Sequence, residues 1–417
     1  MKKRRSAMVF FLSAIAVGVS VRPSWAQLAL GQYQEEAPVG TWNTFPYLSA
    51  AALGRGQTAF TLARDASAGP VNPALLSFLP TFTVAAGGYY RVEAFSKYGP
   101  VNTGVLGSRG NIDLSIYGLD FGGVSLRLGG WALGVSVSAP EIYNRPTAEY
   151  QAKSSQGRLL EQDTFTQSGI LRDFNFALAR KIGSRLSLGL GLNIIRGKLD
   201  RQWLEQWAGD GGTYQILDHK VRNFEGTSVN AGIVYDIPKT LRLAVVVRAP
   251  FVKTCDSRSD LRYDSAGGVT EISIPDSATD EFRQPLVAGM GASWTIFTPF
   301  TIAADVTYYA WSKYRATFFG DADPRDFKDI VKVSAGAEYR AEFSLFGGPA
   351  WIPVRIGVVY DPQPMKIPKS AYLDFTLGNG LDLKFLHLDL GVMIGRESGS
   401  GADLIVKRFA LSMGFVL

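Results

Sequence analysis

The stretch RLSLGLGLNII, from Arg185 to Ile195, decides the fold class because its side chains alternate with a period of two. Large aliphatic residues occupy every second position, and Ser, Gly, Gly and Asn lie between them. A period of two places the two sets on opposite faces of a β-strand. The stretch therefore predicts a strand with one hydrocarbon face and one face of small or polar groups.

The same alternation recurs toward the C-terminus, in FTIAADVTYYAW from Phe300 and in KFLHLDLGVMI from Lys384. A soluble β-sandwich could also alternate, with its apolar face turned into a core. Strand length separates the two classes, because globular strands average about 5 to 6 residues and a bilayer-crossing strand needs about 9 to 11. These segments reach the longer value, so their apolar faces are expected to meet lipid.

Segments of this kind can be placed from Thr81 to Leu417, and they number about fourteen. Short connections, such as 129–130 and 182–184, alternate with longer ones, such as 143–168 and 255–281. Short periplasmic turns and long extracellular loops are typical of outer-membrane barrels. The sequence predicts an all-β protein in which residues 81–417 form a transmembrane antiparallel β-barrel of about 14 strands.

The first 26 residues have the features of a secretory signal peptide: the basic MKKRR, an apolar run and the small-residue site SWA. We predict that residues 1–26 are removed near Ala26 and that the protein reaches the outer membrane of a Gram-negative-type bacterium. These residues carry five basic and no acidic side chains, so the net charge of +6 falls to +1 in the mature chain. A nearly neutral protein offers no basic face for nucleic acid, and no such partner is expected.

Chemistry-bearing residues are few. The chain has two histidines, His219 and His387, and one cysteine, Cys255. None of them lies in a metal-ligand spacing or a nucleophile motif, and one cysteine cannot form an internal disulfide. His387 and Asp389 share the inward face of one strand, where a hydrogen-bonded pair is a simpler interpretation than a catalytic dyad. The sequence predicts no enzyme, no metal site and no cofactor.

The inward faces of the strands mix small polar groups with larger apolar side chains. Candidate lumen-lining residues are Tyr309, Trp311, Phe385 and Met393. Such an interior is less uniformly charged than a water-filled pore should be, and it suits an amphipathic or apolar cargo. The alternative, that these side chains fill space against an internal plug, stays open.

The segment before the first strand differs in composition, since LGRGQTAFTLARDASAGPVNPALLSFLP, Leu53 to Pro80, is rich in Ala and Leu and contains three prolines. It resembles the N-terminal region of the FadL/TodX family of outer-membrane transporters, which carry long-chain fatty acids and other hydrophobic compounds. In that family Leu-Gly-Arg, Asp-Ala and Asn-Pro-Ala motifs precede the first strand. Here they correspond to residues 53–55, residues 65–66, and Asn72, Pro73 and Ala74.

The resemblance implies that residues 27–80 form a hatch that plugs the lumen. In the family, extracellular loops capture the ligand, a pocket above the hatch holds it, and it leaves sideways through a gap at a kinked third strand. Asn72, Pro73 and Ala74 would belong to the hatch, and Asp361 would hold the hatch in place. Gly134 or Pro140 would mark the kink, although Pro140 could simply end its strand.

The expected function is passive uptake of hydrophobic compounds such as long-chain fatty acids or hydrocarbons. The expected partners are those molecules, the outer-membrane lipids and the barrel-assembly machinery. The alternative is a membrane-embedded barrel that acts as an anchor or shuttle for secreted proteins. The two differ in whether an apolar pocket lies between the loops and the hatch.

Overall fold

The computed structural model describes residue 47 and residues 49–94, 113–209, 212–265, 269–322, 326–345, 348–367, 369–399 and 405–417. The predicted signal peptide, 1–26, and the first part of the predicted hatch, 27–46, lie outside these residues. None of the helices in the described ranges is long and apolar enough to span a membrane.

The described residues form nineteen β-segments and a few short helices. The first strands are β1 (Phe82–Ala94), β2 (Asp113–Leu128), β3 (Trp131–Ile142), β4 (Arg145–Lys153), β5 (Leu159–Ile182), β6 (Leu186–Gly209), β7 (Gly212–Ile237), β8 (Leu241–Arg248), β9 (Phe251–Ser265) and β10 (Val269–Gln284). The others are β11 (Val287–Phe297), β12 (Phe300–Tyr309), β13 (Arg315–Phe318), β14 (Asp321–Ala322), β15 (Ile330–Leu345), β16 (Gly348–Pro362), β17 (Ala371–Asp382), β18 (Leu386–Ser398) and β19 (Ile405–Val416). Ahead of β1 lie α1 (Ala50–Gly54), α2 (Ala68–Val71) and a 3₁₀ helix (Pro73–Phe78), and a second 3₁₀ turn covers Trp311–Lys313.

The sheet closes into a barrel because β1 pairs with β2 on one side and with β19 on the other, both antiparallel. The nineteen segments correspond to fourteen barrel strands: β3 with β4, β8 with β9, β10 with β11 and β12 with β13 are interrupted strands, and β14 is a two-residue arm of a small hairpin. The predicted all-β antiparallel barrel of 14 strands is confirmed.

The alternation in the opening stretch corresponds to the two faces of the wall. Leu190 on β6 is 59% exposed, whereas Ser187 on the same strand is fully buried. The aliphatic face therefore points out of the barrel, where it would meet hydrocarbon, and the small polar face points in. Burying one such Leu in an apolar phase is worth about 1.5–3 kcal/mol.

Strand length varies around the wall. β5, β6 and β7 have 24, 24 and 26 residues, whereas β17 and β19 have 12 each. The turn after β17 lies at residues 383–385, because β17 continues through Gly378 to Asp382. A Cβ at Gly378 would come within 2.9 Å of the Gly54 Cα, so this glycine permits close approach of another backbone.

The segment from residue 49 to residue 80, which we call the inner segment, lies inside the barrel. Its helix α1 contacts β16, β17, β18 and β19, whereas its 3₁₀ helix contacts β3, β5, β6 and β7 on another part of the wall. Apolar side chains such as Leu53, Phe60 and Leu76 are fully buried there. The inner segment thus crosses the lumen and fills part of it.

Candidate functional site

Glycines on neighbouring strands let the inner segment approach the wall backbone to backbone. A Cβ added to Gly357 of β16 would come within 2.2 Å of the Gly56 nitrogen, and one on Gly336 of β15 within 2.4 Å of the Arg55 carbonyl oxygen. The Gly56 N–H donates to the Thr376 Oγ1 at 2.8 Å. Glycine is the residue that allows such close approach. These contacts fix the position of the first half of the inner segment.

A buried ionic cluster reinforces that contact. Glu338 of β15, 2% exposed, accepts hydrogen bonds from the Arg55 Nη1 at 2.8 Å and from the Arg355 Nε at 2.7 Å, and it also pairs with Arg64. Arg355 in turn donates to Asp389 at 2.6 Å. Burial lowers the pKa of Arg55 to about 10 while the Glu338 charge opposes that shift. The same charge raises the pKa of Arg64.

The Asn-Pro-Ala residues form the second attachment of the inner segment, on β6 and β7. Asn72 is buried; its Nδ2 donates to the Phe60 carbonyl at 2.9 Å, and its Oδ1 caps the 3₁₀ helix by accepting from the Ala74 N–H at 3.2 Å. Pro73 occupies the first helical position, where a missing N–H costs nothing. The Ala74 carbonyl accepts from the Ser187 Oγ at 2.8 Å. The motif is thus a turn that contacts the wall.

Asp361 lies on β16, away from the part of the wall that Asn72 contacts, and it is buried. It pairs with the Lys332 Nζ at 3.3 Å, and that Nζ donates to the Gln57 Oε1 at 2.7 Å. Met393, another predicted site residue, contacts the same glutamine, since its sulfur lies 3.1 Å from the Gln57 Nε2. Asp361 is therefore linked to the inner segment through Lys332.

A water-sized cavity of about 20 Å³ lies beside the inner segment near the short turn that joins β17 and β18. Its polar lining includes Arg64, Asp382, His387 and Asp389, and Tyr47 also borders it. His387 pairs with Asp382 at 3.0 Å, whereas Asp389 pairs with Arg355, so the expected His387–Asp389 hydrogen bond does not form. In the described ranges no group of three or more His, Cys, Asp and Glu could hold a metal ion.

Aromatic side chains line the lumen on the long-loop side of the inner segment, in a region that we call the aromatic chamber. One row is Tyr143, Phe224, Phe282 and Phe318, with successive ring centroids 5.7, 6.1 and 5.6 Å apart. A second row is Tyr309, Trp311, Tyr314 and Phe327, with successive centroids 6.4, 5.6 and 5.4 Å apart. The spacings are those of favourable offset or edge-to-face pairs. The chamber offers an apolar, polarisable lining.

Buried cations lie on or beside these rings, among them Arg222, whose guanidinium is 5.3 Å from the centre of the Phe318 ring. The Lys253 Nζ is 4.9 Å from the centre of the Phe224 ring and 3.4 Å from the Glu141 Oε1. The Arg248 guanidinium lies 4.8 Å from the centre of the Phe251 ring and 3.6 Å from Asp173. Lysine and arginine commonly bind the faces of aromatic rings in this way. The chamber therefore combines an apolar surface with buried cations that are paired with carboxylates.

Three of the four predicted lumen residues lie inside the barrel. Tyr309 and Trp311 belong to the aromatic chamber, and Met393 contacts the inner segment; all three are buried. Phe385 does not line the lumen, because it lies in the turn between β17 and β18 and is 55% exposed. The prediction extended the period of β18 one residue too far toward its N-terminus.

The wall is interrupted at the third strand. The β2–β3 ladder ends at the pair Phe121–Ser138, and the β3–β5 register shifts between Ser138 and Glu141, around Pro140. Beyond that point, residues 113–119 of β2 pair with β1, and on the β3 side they have no ladder partner in the part of the chain that the structure describes. We call this interruption the wall gap.

Of the two kink candidates, only Pro140 lies at the wall gap. It does not end β3, which continues to Ile142. Gly134 pairs regularly with Ser125 and Ala177, so it does not mark a kink. Its missing side chain instead makes room for Leu76 of the inner segment, whose Cδ atoms would lie 3.1 Å from a Cβ.

The sequence interpretation did not identify the ionic cluster or the cations of the chamber. Glu338 and Arg355 occupy the inward phase of strands whose outward residues are apolar. In a lumen that is filled by a plug, a charged side chain that faces inward is buried and needs a partner. The inward position of these charges was therefore the signal in the sequence that could have identified the cluster.

Comparison with known proteins gives the family. The family model for outer membrane protein transport proteins (OMPP1/FadL/TodX) matches residues 44–392. No curated protein matches the chain. A crystal structure of a Pseudomonas aeruginosa FadL homologue is 16% identical with a TM-score of 0.65, over 89% of this chain and 98% of that one. The Pseudomonas putida toluene transporter TodX is 14% identical with a TM-score of 0.60, over 89% and 99%.

A third similar structure, the Ralstonia pickettii toluene transporter TbuX, is 14% identical with a TM-score of 0.58, over 88% of this chain and 97% of that one. At these identities the structures establish the fold, and the family model, which covers most of the chain, establishes the relationship. The chain belongs to the OMPP1/FadL/TodX family of outer membrane transport proteins.

Proposed function

We propose that the protein is a channel, and not an enzyme, that takes up hydrophobic compounds passively and releases them sideways into the outer membrane. The observation that carries this proposal is the wall gap, which interrupts the barrel beside a lumen occupied by the inner segment. A water-filled channel needs an open lumen and no opening in its wall. A lumen filled from within and a wall that lacks ladder pairing suit a cargo that prefers lipid.

Sideways release also follows from the energetics of an apolar cargo. Each CH₂ group that enters water costs about 0.8 kcal/mol relative to an apolar phase. A route through the short-turn end of the barrel would expose the whole chain of a long cargo to periplasmic water. A route through the wall keeps the cargo in contact with hydrocarbon, so it avoids that cost.

The aromatic chamber supports an amphipathic cargo with a negative head, of which a long-chain fatty acid is the default. Rings provide contact area for an acyl chain, and Arg248 and Lys253 can donate charge-assisted hydrogen bonds to a cargo carboxylate in exchange for Asp173 and Glu141. A plain hydrocarbon would use only the rings. The rings of each row already touch one another, so binding requires side-chain movement.

In this proposal residues 27–80 are the hatch of the channel, and Asn72, Pro73 and Ala74 attach it to β6 and β7. Asp361 stabilises the hatch through Lys332. The signal peptide is removed near Ala26, and the barrel-assembly machinery inserts the mature chain into the outer membrane.

The proposal is tested by closing the wall gap. Two residues of β3, 139 and 140, lie opposite one residue of β5, so deleting Pro140 restores a regular register. We expect the deletion variant, reconstituted in liposomes, to lose uptake of fluorescent fatty acid, while Pro140→Ala, which keeps the extra residue, retains it. Uptake by the deletion variant at the wild-type rate would refute sideways release.

The alternative function, an anchor or shuttle for a secreted protein, is favoured by the long strands β5, β6 and β7, which offer a surface beyond the membrane. Mass spectrometry of the detergent-extracted protein separates the two functions. Co-purifying lipids or fatty acids support the channel. A stoichiometric protein partner without hydrophobic ligand supports the anchor.

A further inference from the structure

A β-bulge marks the lower end of the wall gap. Gly87 of β1 pairs with Phe121 and Gly88 pairs with Leu119, so Asp120 is an extra residue in β2. A bulge of this kind breaks the alternation of side chains. Asp120 and Phe121 consequently both turn into the barrel, where each is 6% exposed.

The ring of Tyr47 lies on these two residues. It stacks on Phe121 with centroids 4.6 Å apart and planes 24° apart, and its hydroxyl donates to the Asp120 Oδ1 at 3.3 Å. The second Asp120 oxygen accepts from the Arg408 Nη2 at 3.5 Å. A Cβ on Gly87 would lie 2.7 Å from the Tyr47 hydroxyl, so this glycine is required for the tyrosine to fit.

Tyr47 lies where the wall gap begins. Phe121, the partner of the tyrosine ring, is the last β2 residue paired with β3. Tyr47 also borders the water-sized cavity beside the inner segment. The ring therefore covers the lower end of the wall gap from the lumen side.

We propose that Tyr47 sets the size limit of the inner mouth of the wall gap. The inference rests on the proposed function, since a size limit has meaning only if cargo leaves through the wall. Tyr47 stacks on Phe121, bonds to Asp120 and packs against the buried apolar clusters, so a slim acyl chain needs only a small shift of the ring, while a wide molecule must displace it. Tyr47 is thus a specificity-determining residue, and Asp120 and Phe121 position it.

The test measures two probes of different width, palmitate and pyrene, as uptake into proteoliposomes that contain the full mature chain. A ring stack and a hydrogen bond together account for about a tenfold difference in an equilibrium. We expect Tyr47→Ala to raise pyrene uptake about tenfold relative to palmitate uptake. Tyr47→Phe, which keeps the stack and loses the hydroxyl, should give an intermediate ratio, and Tyr47→Trp should lower the ratio.

Tyr90→Ala is the matched control, because Tyr90 also pairs with a phenylalanine, Phe409, with ring centroids 6.1 Å apart, but on the outer face of the wall. It should leave the pyrene-to-palmitate ratio unchanged. The heat-dependent shift in gel mobility shows whether each variant forms a folded barrel. If Tyr47→Ala does not show this shift, the pyrene-to-palmitate ratios of Tyr47→Phe and Tyr47→Trp decide the question.

The two proposals fail in different ways. A wild-type protein that transports both probes, with the same ratio in all Tyr47 variants, would overturn the size limit and leave the channel standing. A wild-type protein that transports neither probe would overturn the channel and the size limit together.

Discussion

Replacing Glu338 with Gln tests whether the ionic cluster holds the inner segment in the barrel. The change keeps the shape and removes the charge that Arg55, Arg64 and Arg355 share. Removing one partner of a buried ion pair typically costs about 3–5 kcal/mol. Arg355 keeps Asp389, and Arg64 keeps an ion pair with Asp382, so the loss should lie at the low end, about 3 kcal/mol.

The loss should appear as easier local opening of the inner segment. Hydrogen–deuterium exchange of the detergent-solubilised protein reports the free energy of such opening, and about 3 kcal/mol corresponds to a roughly hundredfold loss of protection. Peptides that cover residues 49–62 should therefore exchange about a hundred times faster in Glu338→Gln, with the barrel strands unchanged.

Glu225→Gln is the control, since Glu225 is 61% exposed and pairs with Arg196 at 3.3 Å. Exposed pairs are worth about 0–1 kcal/mol, so this variant should keep wild-type exchange. Protection of residues 49–62 within about threefold of wild type in Glu338→Gln would show that the glycine contacts alone retain the segment, and the reasoning from buried charge would be wrong.

Four further outcomes are expected. Deleting 27–80 should leave a folded barrel with higher ion conductance in planar bilayers, and equal conductance would contradict the hatch. Gly357→Val should displace Gly56 and speed hydrogen exchange in α1, at a cost of about 1–3 kcal/mol, whereas Gly130→Ala, whose added Cβ would meet its nearest atom at 3.8 Å, should not. Lys253→Gln should weaken fatty-acid binding about tenfold in a fluorescence titration and leave toluene binding unchanged. Burial raises the pKa of Asp65, so the inner segment should become less stable, and its protection factors should fall, as pH rises through that pKa; protection factors in Asp65→Asn that fall in the same way would contradict this.

The barrel could be predicted from the sequence because the apolar residues of each strand meet lipid. A lipid-facing strand has to keep a strict period of two over its full length, as the Leu residues of β6 do. The even strand number and the alternating connections then follow from closure. The strand breaks at Pro140 and at the Trp311 turn were harder to predict from the sequence, because a single bulge or 3₁₀ turn changes the local alternation without changing the overall pattern.

The site was less predictable because its geometry depends on contacts between the inner segment and the wall. The Gly-Asn-Gly sequence at residues 378–380 is typical of a turn, yet Gly378 lies within β17, and Gly54 lies against it. Phe385 fitted the period of β18, but β18 begins only at Leu386, so Phe385 lies in the turn. The bulge at Asp120 could not be recognised from the sequence, since Gly87 becomes informative only when Tyr47 is known to lie above it. These features arise from contacts between residues far apart in the chain.

The unequal strand lengths give the barrel a tall side and a low side. Strands of 24 to 26 residues, such as β5, β6 and β7, rise about 60 Å along the barrel axis at a tilt of about 40°. Strands of 12 residues, such as β17 and β19, rise about 30 Å, close to the apolar band of about 25 Å. Among the described residues, the tall side thus rises about 30 Å above the low side at the long-loop end of the barrel. For the hydrophobic cargo that we propose, the low side is the shorter approach to the mouth, so the direction of arrival would be set before any binding occurs.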